Sequence, residues 1–276
     1  MSTETLPLYE RESLLREAWT SLRSLARYRD LLRYLVRASI AKESTGRVFG
    51  AVWWVLDPIL LAAVFIFFVE VVLGGGGIEH YGLFVLIGVT AWKHFQSGVS
   101  SGIATTLVRQ QLMRQVAFPK AVIPLSAALA ETFHFFIALG MFVVIAIPFG
   151  VYPNAFYALI PVVVAIQLVL LLGVSFALSA LNIFFRDVQN LTGYVLRLGF
   201  FLSPVLYPVP RIPEEYRAVY ELNPFATILP AYHSILLEGR LVNGGRLAVV
   251  GVFSLAVLVG GYLVFTRLER SFTRVD

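Results

Sequence analysis

The residues best placed to do chemistry in this 276-residue chain are ionisable groups set inside long apolar stretches: Lys93, Glu131 and Arg197, with His94 and His134 beside the first two. A charge at bilayer depth is costly and persists where it pairs, lines a water-filled cavity or meets a ligand. Each is therefore a candidate functional group. Lys93 lies about 18 Å into one apolar stretch and Glu131 about 15 Å into the next, at 1.5 Å per helical residue. These similar depths predict an ion pair between Lys93 and Glu131 across neighbouring antiparallel helices, structural before catalytic, with His94 and His134 as further partners. Arg197 has no acid within one turn, so it calls for a partner on another helix, a water-filled cavity or an anionic ligand. A buried arginine at a subunit contact fits equally. Asp57 and Glu70 sit near the two ends of their stretch, can reach the interface, and are not read as a site.

Other chemistries are poorly supported. The phosphate-cradling pattern GxxxxGK[ST] is missing, and the GGGG at 74–77 has no lysine beside it, so the chain is not expected to hydrolyse ATP. His80, His94, His134 and His233 are scattered without metal-ligand spacing, no Ser/His/Asp order stands out, and the lack of cysteine removes thiolate metal sites and sulfur nucleophiles. No metal, resident cofactor or nucleic-acid partner is expected. An integral glycosyltransferase would need acidic metal-binding residues in its loops, but Glu214, Glu215 and Glu221 form no such cluster.

The elements that must carry these groups are membrane helices. The chain is 58% hydrophobic and only 14% charged, and its charge is excluded from runs of roughly twenty residues, the length that crosses a hydrocarbon core of about 30 Å. The predicted fold is an all-α polytopic membrane protein with six spans at about 52–73, 81–104, 121–148, 155–181, 191–207 and 247–265. A cytoplasmic segment, 1–51, precedes the transmembrane domain, 52–276. It shows neither a secretory signal nor a transit peptide, so the first span is expected to be an uncleaved anchor. Within it, residues 22–42 alternate apolar Leu25, Tyr28, Leu32, Leu35 and Val36 with Arg23, Arg27, Arg33 and Arg37 at helical spacing, which predicts an amphipathic helix lying along an anionic leaflet. A basic segment, 105–120, reads as a short helix between spans 2 and 3. The proline-rich stretch 209–240 contains apolar runs too short to cross.

Of the 22 lysines and arginines, sixteen fall in the segments that share a side with the N-terminus and four in the segments opposite. That asymmetry predicts both termini on the cytoplasmic face. Aromatic residues near span ends, such as Trp53, Trp54, Trp92 and Tyr207, suit interfacial belts. Phe65, Phe67 and Phe68 in span 1 and Tyr194, Phe200 and Phe201 in span 5 lie deeper, where rings serve lipid contact, packing or stacking on sugar faces.

Six short signatures, in order, resemble the membrane subunits of ABC-type exporters for lipid-linked polysaccharides, a family that includes O-antigen, capsule and teichoic-acid exporters. They are GRVFGAVWWVLDP at 46–58, with Gly50, Trp53 and Pro58 in the family positions, LVRQQLMRQVAFPKAVIP at 107–124, FFRDVQNL at 184–191, LSPVLYP at 202–208, LNPF at 222–225 and FTRLERSF at 265–272. The chain departs from the family pattern at Phe184 or Phe185, where a tyrosine is usual, at His233, where arginine is frequent, and near Lys93, where apolar residues are usual.

The resemblance implies a homodimer in a bacterial cytoplasmic membrane, resting on two copies of a separate ABC ATPase subunit that binds ATP and magnesium. An undecaprenyl-linked polysaccharide would pass between the two copies, with Phe65, Phe68, Tyr194, Arg197, Phe201 and Tyr207 as candidates to line the path. Arg109, Gln111, Leu112, Arg114, Phe118, Pro119 and Lys120 would form a coupling helix seated on the ATPase, together with Arg186 and Asp187 of the next inner loop. The 209–240 segment would form re-entrant helices near the exit. A polyol-phosphate polymer or a drug-sized or small-lipid substrate are the alternatives within the same superfamily.

Overall fold

The computed structural model describes residues 27–44, 50–72, 74, 77–115, 118–269 and 272, with the backbone alone at 42–44, 51, 111, 112 and 114. Among the described residues there is helix and no strand. The helices are α1 (Arg29–Ser44), α2 (Trp53–Ile66), α3 (Tyr81–Val108), α4 (Gln110–Gln115), α5 (Val122–Ala146), α6 (Ile160–Phe184), α7 (Asp187–Phe201), α8 (Glu214–Tyr220), α9 (Phe225–Leu237) and α10 (Gly244–Glu269). A π-helical turn, Phe67–Val72, extends α2.

Four helical stretches among the described residues are long and apolar enough to cross a membrane: Trp53–Val72, Val122–Phe149, Ala155–Phe184 and Gly244–Glu269. The other two expected spans differ. Helix α3 has 28 residues, but Lys93, His94, Gln96 and Ser97 make its middle polar. Helix α7 has 15 residues, about 22 Å at 1.5 Å each. It begins at Asp187 and stops at Phe201, so the expected 191–207 span is shifted and cut short. Residues 202–207 turn instead, where Asn223 Nδ2 donates to the Leu202 carbonyl and to Ser203 Oγ at 3.1 and 2.9 Å. The expected 105–120 helix is also divided. Helix α3 runs on to Val108, Arg109 breaks it, and α4 covers only Gln110–Gln115.

Local chemistry explains the remaining breaks. Pro148, Gly150 and Pro153 end α5, and Gly150 adopts a left-handed φ of 81°. Asn154 caps the next turn by accepting the Phe156 N–H at 2.9 Å. Asn223 Oδ1 likewise accepts the Phe225 N–H at the start of α9.

Helix α3 is central and packs on α2, α5, α6 and α9. Its buried face, with Val85, Ile87, Val99 and Ile103, joins Phe135 and Phe142 of α5, Leu170 and Leu171 of α6 and Ile228, Tyr232 and Ile235 of α9 in one core. Helices α6 and α10 approach most closely: a Cβ at Gly173 would meet the Val257 carbonyl and Leu258 nitrogen at 2.6 Å. This is the small-residue contact by which membrane helices bring backbones together. Helix α9 is almost wholly buried and, with 13 residues, is shorter than a membrane span. Its His233 Nε2 lies 3.0 Å from the Phe84 carbonyl. Helix α1 packs on α5, with Leu35 buried, while expected helical residues 22–26 and signature residues 46–49 lie outside the described residues.

Candidate functional site

Three regions gather the functional candidates. The first is the basic end of the bundle, where 109–120 follows α3. Phe118 packs against a cluster of Met113, Ile123, Phe176, Ile183 and Phe265. Lys120 ties this segment to the end of α10: its backbone N–H donates to Glu269 Oε1 at 3.2 Å and its ammonium to the Glu269 carbonyl at 3.3 Å, 5.6 Å from the Phe272 ring centre. Pro119 and Lys120 offer their carbonyls to the first turn of α5. Arg109 is half-buried, and its Nη1 has no hydrogen-bond acceptor among the described residues. Burial works against the charge of this guanidinium. Arg186 and Asp187 are exposed at the start of α7. Gln111, Leu112 and Arg114 lie on α4, and their side chains fall outside the described residues. These contacts join the segment to α5 through Pro119 and Lys120 and to α10 through Glu269.

The second region is an aromatic face shared by α2 and α7. Phe65 stacks on Phe200 at 5.3 Å and meets Phe201 edge-on at 6.4 Å. Phe68, Tyr194 and Phe201 remain 49%, 62% and 58% exposed. Arg197 is exposed beside them, its Nε donating to the Gly193 carbonyl at 3.2 Å and its guanidinium 4.8 Å from the Tyr194 ring centre. It has no ion pair among the described residues, so it is a cation on an aromatic plate. Tyr207 donates to the Phe201 carbonyl at 2.7 Å and lies 3.4 Å from the Tyr220 hydroxyl.

The third region is a cavity of about 170 Å³ between α2, α3 and α5. Here the expected Lys93–Glu131 pair is not formed. The Lys93 ammonium holds the Asp57 carboxylate of α2. Glu131 accepts from Ser101 Oγ at 2.6 Å and lies 3.6 Å from His134 Nδ1, and His134 stacks on Trp54 at 4.1 Å. All three charged groups line the one cavity.

His94 is occupied elsewhere. Gln167 Nε2 donates to the Ala91 carbonyl at 2.7 Å and reaches His94 Nδ1 at 3.0 Å. An amide nitrogen only donates, so Nδ1 accepts and the ring carries its proton on Nε2, directed at Thr132 Oγ1, 3.1 Å away. Thr132 passes its own proton to the Ala128 carbonyl at 2.8 Å. This chain of bonds fastens α6, α3 and α5 together and leaves His94 structural. Gln167 was not singled out in the sequence, and Asp57, read there as no site, is the partner of Lys93 and part of the cavity lining.

Four helical stretches long and apolar enough to cross a membrane, packed around one core, define a multi-pass membrane protein. Residues 19–237 match the ABC-2 type transporter family, and the chain belongs to it. The chain is 30% identical to the O-antigen export system permease protein RfbA of Myxococcus xanthus, over 91% of this chain and 97% of that protein. It is 26% identical to an O-antigen export system permease protein RfbA of Klebsiella pneumoniae, over 89% and 95% of the two chains.

Proposed function

We propose that this chain is the membrane-spanning subunit of an ATP-driven exporter that moves a lipid-linked, O-antigen-type polysaccharide across a bacterial cytoplasmic membrane. The observation that carries the reading is the end-to-end likeness to O-antigen export permeases, over 91% of this chain. The chain forms a homodimer, two copies of a separate ATPase bind ATP and magnesium, and the undecaprenyl-linked polymer passes between the permeases. Six helices, α2, α3, α5, α6, α7 and α10, cross the bilayer, and α8 and α9 re-enter from the outer side. Backbone that does not cross is tolerated there because α9 is buried in protein. The termini and residues 1–51 are cytoplasmic, and α1 lies along the inner surface.

In this arrangement the basic end faces the ATPase and α4 is the coupling helix. Closure of the ATPase pair presses on 109–120, and the contacts of Pro119, Lys120 and Glu269 carry the displacement into α5 and α10. Helices α2 and α7 separate, and Phe68, Tyr194, Phe201 and Tyr207 give the passing sugars flat apolar surfaces. Arg197 faces the same path and suits the anionic part of the substrate.

The charge reversal R109E/R114E tests the coupling. We expect the variant to insert and to leave the ATPase hydrolysing ATP while export falls at least about tenfold, a loss of about 1.4 kcal/mol in coupling. Export at the original rate would contradict this role for the segment.

A further inference from the structure

Helix α2 is the most loosely held of the apolar crossing helices. Only Pro58 and Ala62 are buried along Trp53–Ile66, and its far end loosens into a π-helical turn. Around the polar cavity its side chains dock on the rest of the bundle through Asp57 to Lys93 and through Trp54 to His134 and Phe133. If α2 moves away, as the export reading requires and on which this inference therefore rests, Asp57 moves with it. Lys93 would then be an uncompensated cation at membrane depth.

The cavity holds a second acceptor. Glu131 lines it together with Asp57 and Lys93, and its carboxylate side chain is only 12% exposed against 57% for Asp57. The three charges sum to one negative charge while α2 is docked, with His94 committed to Gln167 and Thr132 and His134 beside Glu131. Removal of Asp57 leaves Lys93 and Glu131, which neutralise one another. The space admits several water molecules, so the ammonium can cross it solvated. Asp57, one turn inside α2, reaches the interface once released.

We propose that Lys93 is a positioning residue that exchanges carboxylates during transport, holding Asp57 while α2 is docked and Glu131 while α2 is displaced. The pair of positions forms a two-state latch on the first span.

The chain contains no cysteine, so a single thiol reports the latch without background. Thr90 lines the cavity from α3 and is 5% exposed, and T90C is therefore shielded when α2 is docked. The rate of its modification by a small methanethiosulfonate reagent is measured in membranes without nucleotide or substrate. D57N, which removes the docked partner, raises the rate severalfold. Adding E131Q, which removes the other partner, brings it back towards that of T90C alone, and E131Q by itself lowers it. With K93Q present, the opposition between D57N and E131Q disappears.

A purely electrostatic effect on the thiol would move both variants in the same direction, because each removes a negative charge. Same-direction shifts, or no shift with D57N, overturn the exchange. If D57N does not accumulate, the swap D57K/K93D serves. It rebuilds the docked pair and leaves Glu131 facing a carboxylate, so labelling stays at or below that of T90C alone, and a rise would overturn the proposal. Since neither polymer nor ATP enters the assay, its failure leaves the export reading standing, and loss of the export reading leaves the labelling pattern intact.

Discussion

A carboxylate one turn inside a membrane helix persists when a cation meets it, and Asp57 meets Lys93. The same logic operates outside the bilayer at Glu221, which lies 2.7 Å from Arg246. The hydrogen bond from this guanidinium holds the Glu221 carboxyl below the usual range. A depressed carboxyl contributes stability above its unfolded value, about 4.3, and the contribution is lost as pH falls through the folded value. E221Q is therefore expected to lower stability at pH 7 by about 0.2–1 kcal/mol, the range of partly exposed pairs, and its deficit to shrink as pH falls below about 4.3. Thermal melts in detergent at the two pH values check this, and an equal deficit at both would contradict it. The charged groups themselves were legible in the sequence, but the partner of Lys93 was not. Helices α2 and α3 share one end through a short loop, and counted from that end Asp57 lies about 22 Å and Lys93 about 18 Å deep, with Glu131 about 27 Å from the corresponding end of its own span. Counting Glu131 from the opposite surface hid the difference.

At the scale of elements, the close approach of α6 and α10 depends on Gly173 and Gly261. A Cβ at either position would run into backbone of the other helix, whereas a Cβ at Gly140 meets nothing within 4 Å. G173L is expected to cost about 1–3 kcal/mol and to lower the melting temperature, while G140L is tolerated. Equal stability of the two variants would show that this contact does not hold the helices. The boundaries of α5 and α6 could be read directly, because proline and glycine between them can end a helix. The end of α7 was placed too late, because apolar Leu202, Val205 and Leu206 continue the hydrophobic run past the turn. Pro204 disfavours helix at Ser203 before it, and Asn223, twenty residues on, bonds Ser203 in that turn. The division at Arg109 was hidden for a related reason: Thr105 and Thr106 look like loop residues, yet Thr106 satisfies its hydroxyl on the Gly102 carbonyl at 2.7 Å and stays inside α3.

For the whole molecule, the proposed division of labour gives this chain the path and another subunit the energy. The pattern of apolar stretches and the ordered signatures made the membrane class and the family visible before any coordinates, because both are written in composition and local strings. The cavity that joins α2 to the core depends on side chains from three helices and could only be seen once these were folded. The most direct measurement reconstitutes the chain, with the ABC ATPase proposed as its partner, into inside-out vesicles carrying lipid-linked O-antigen-type polysaccharide on the outer surface. Glycan is expected to become protected from an added glycosidase only when ATP and the ATPase subunit are both supplied, and this chain alone is expected neither to hydrolyse ATP nor to protect the glycan. Protection without the ATPase, or none with the full complex and ATP, would contradict this division.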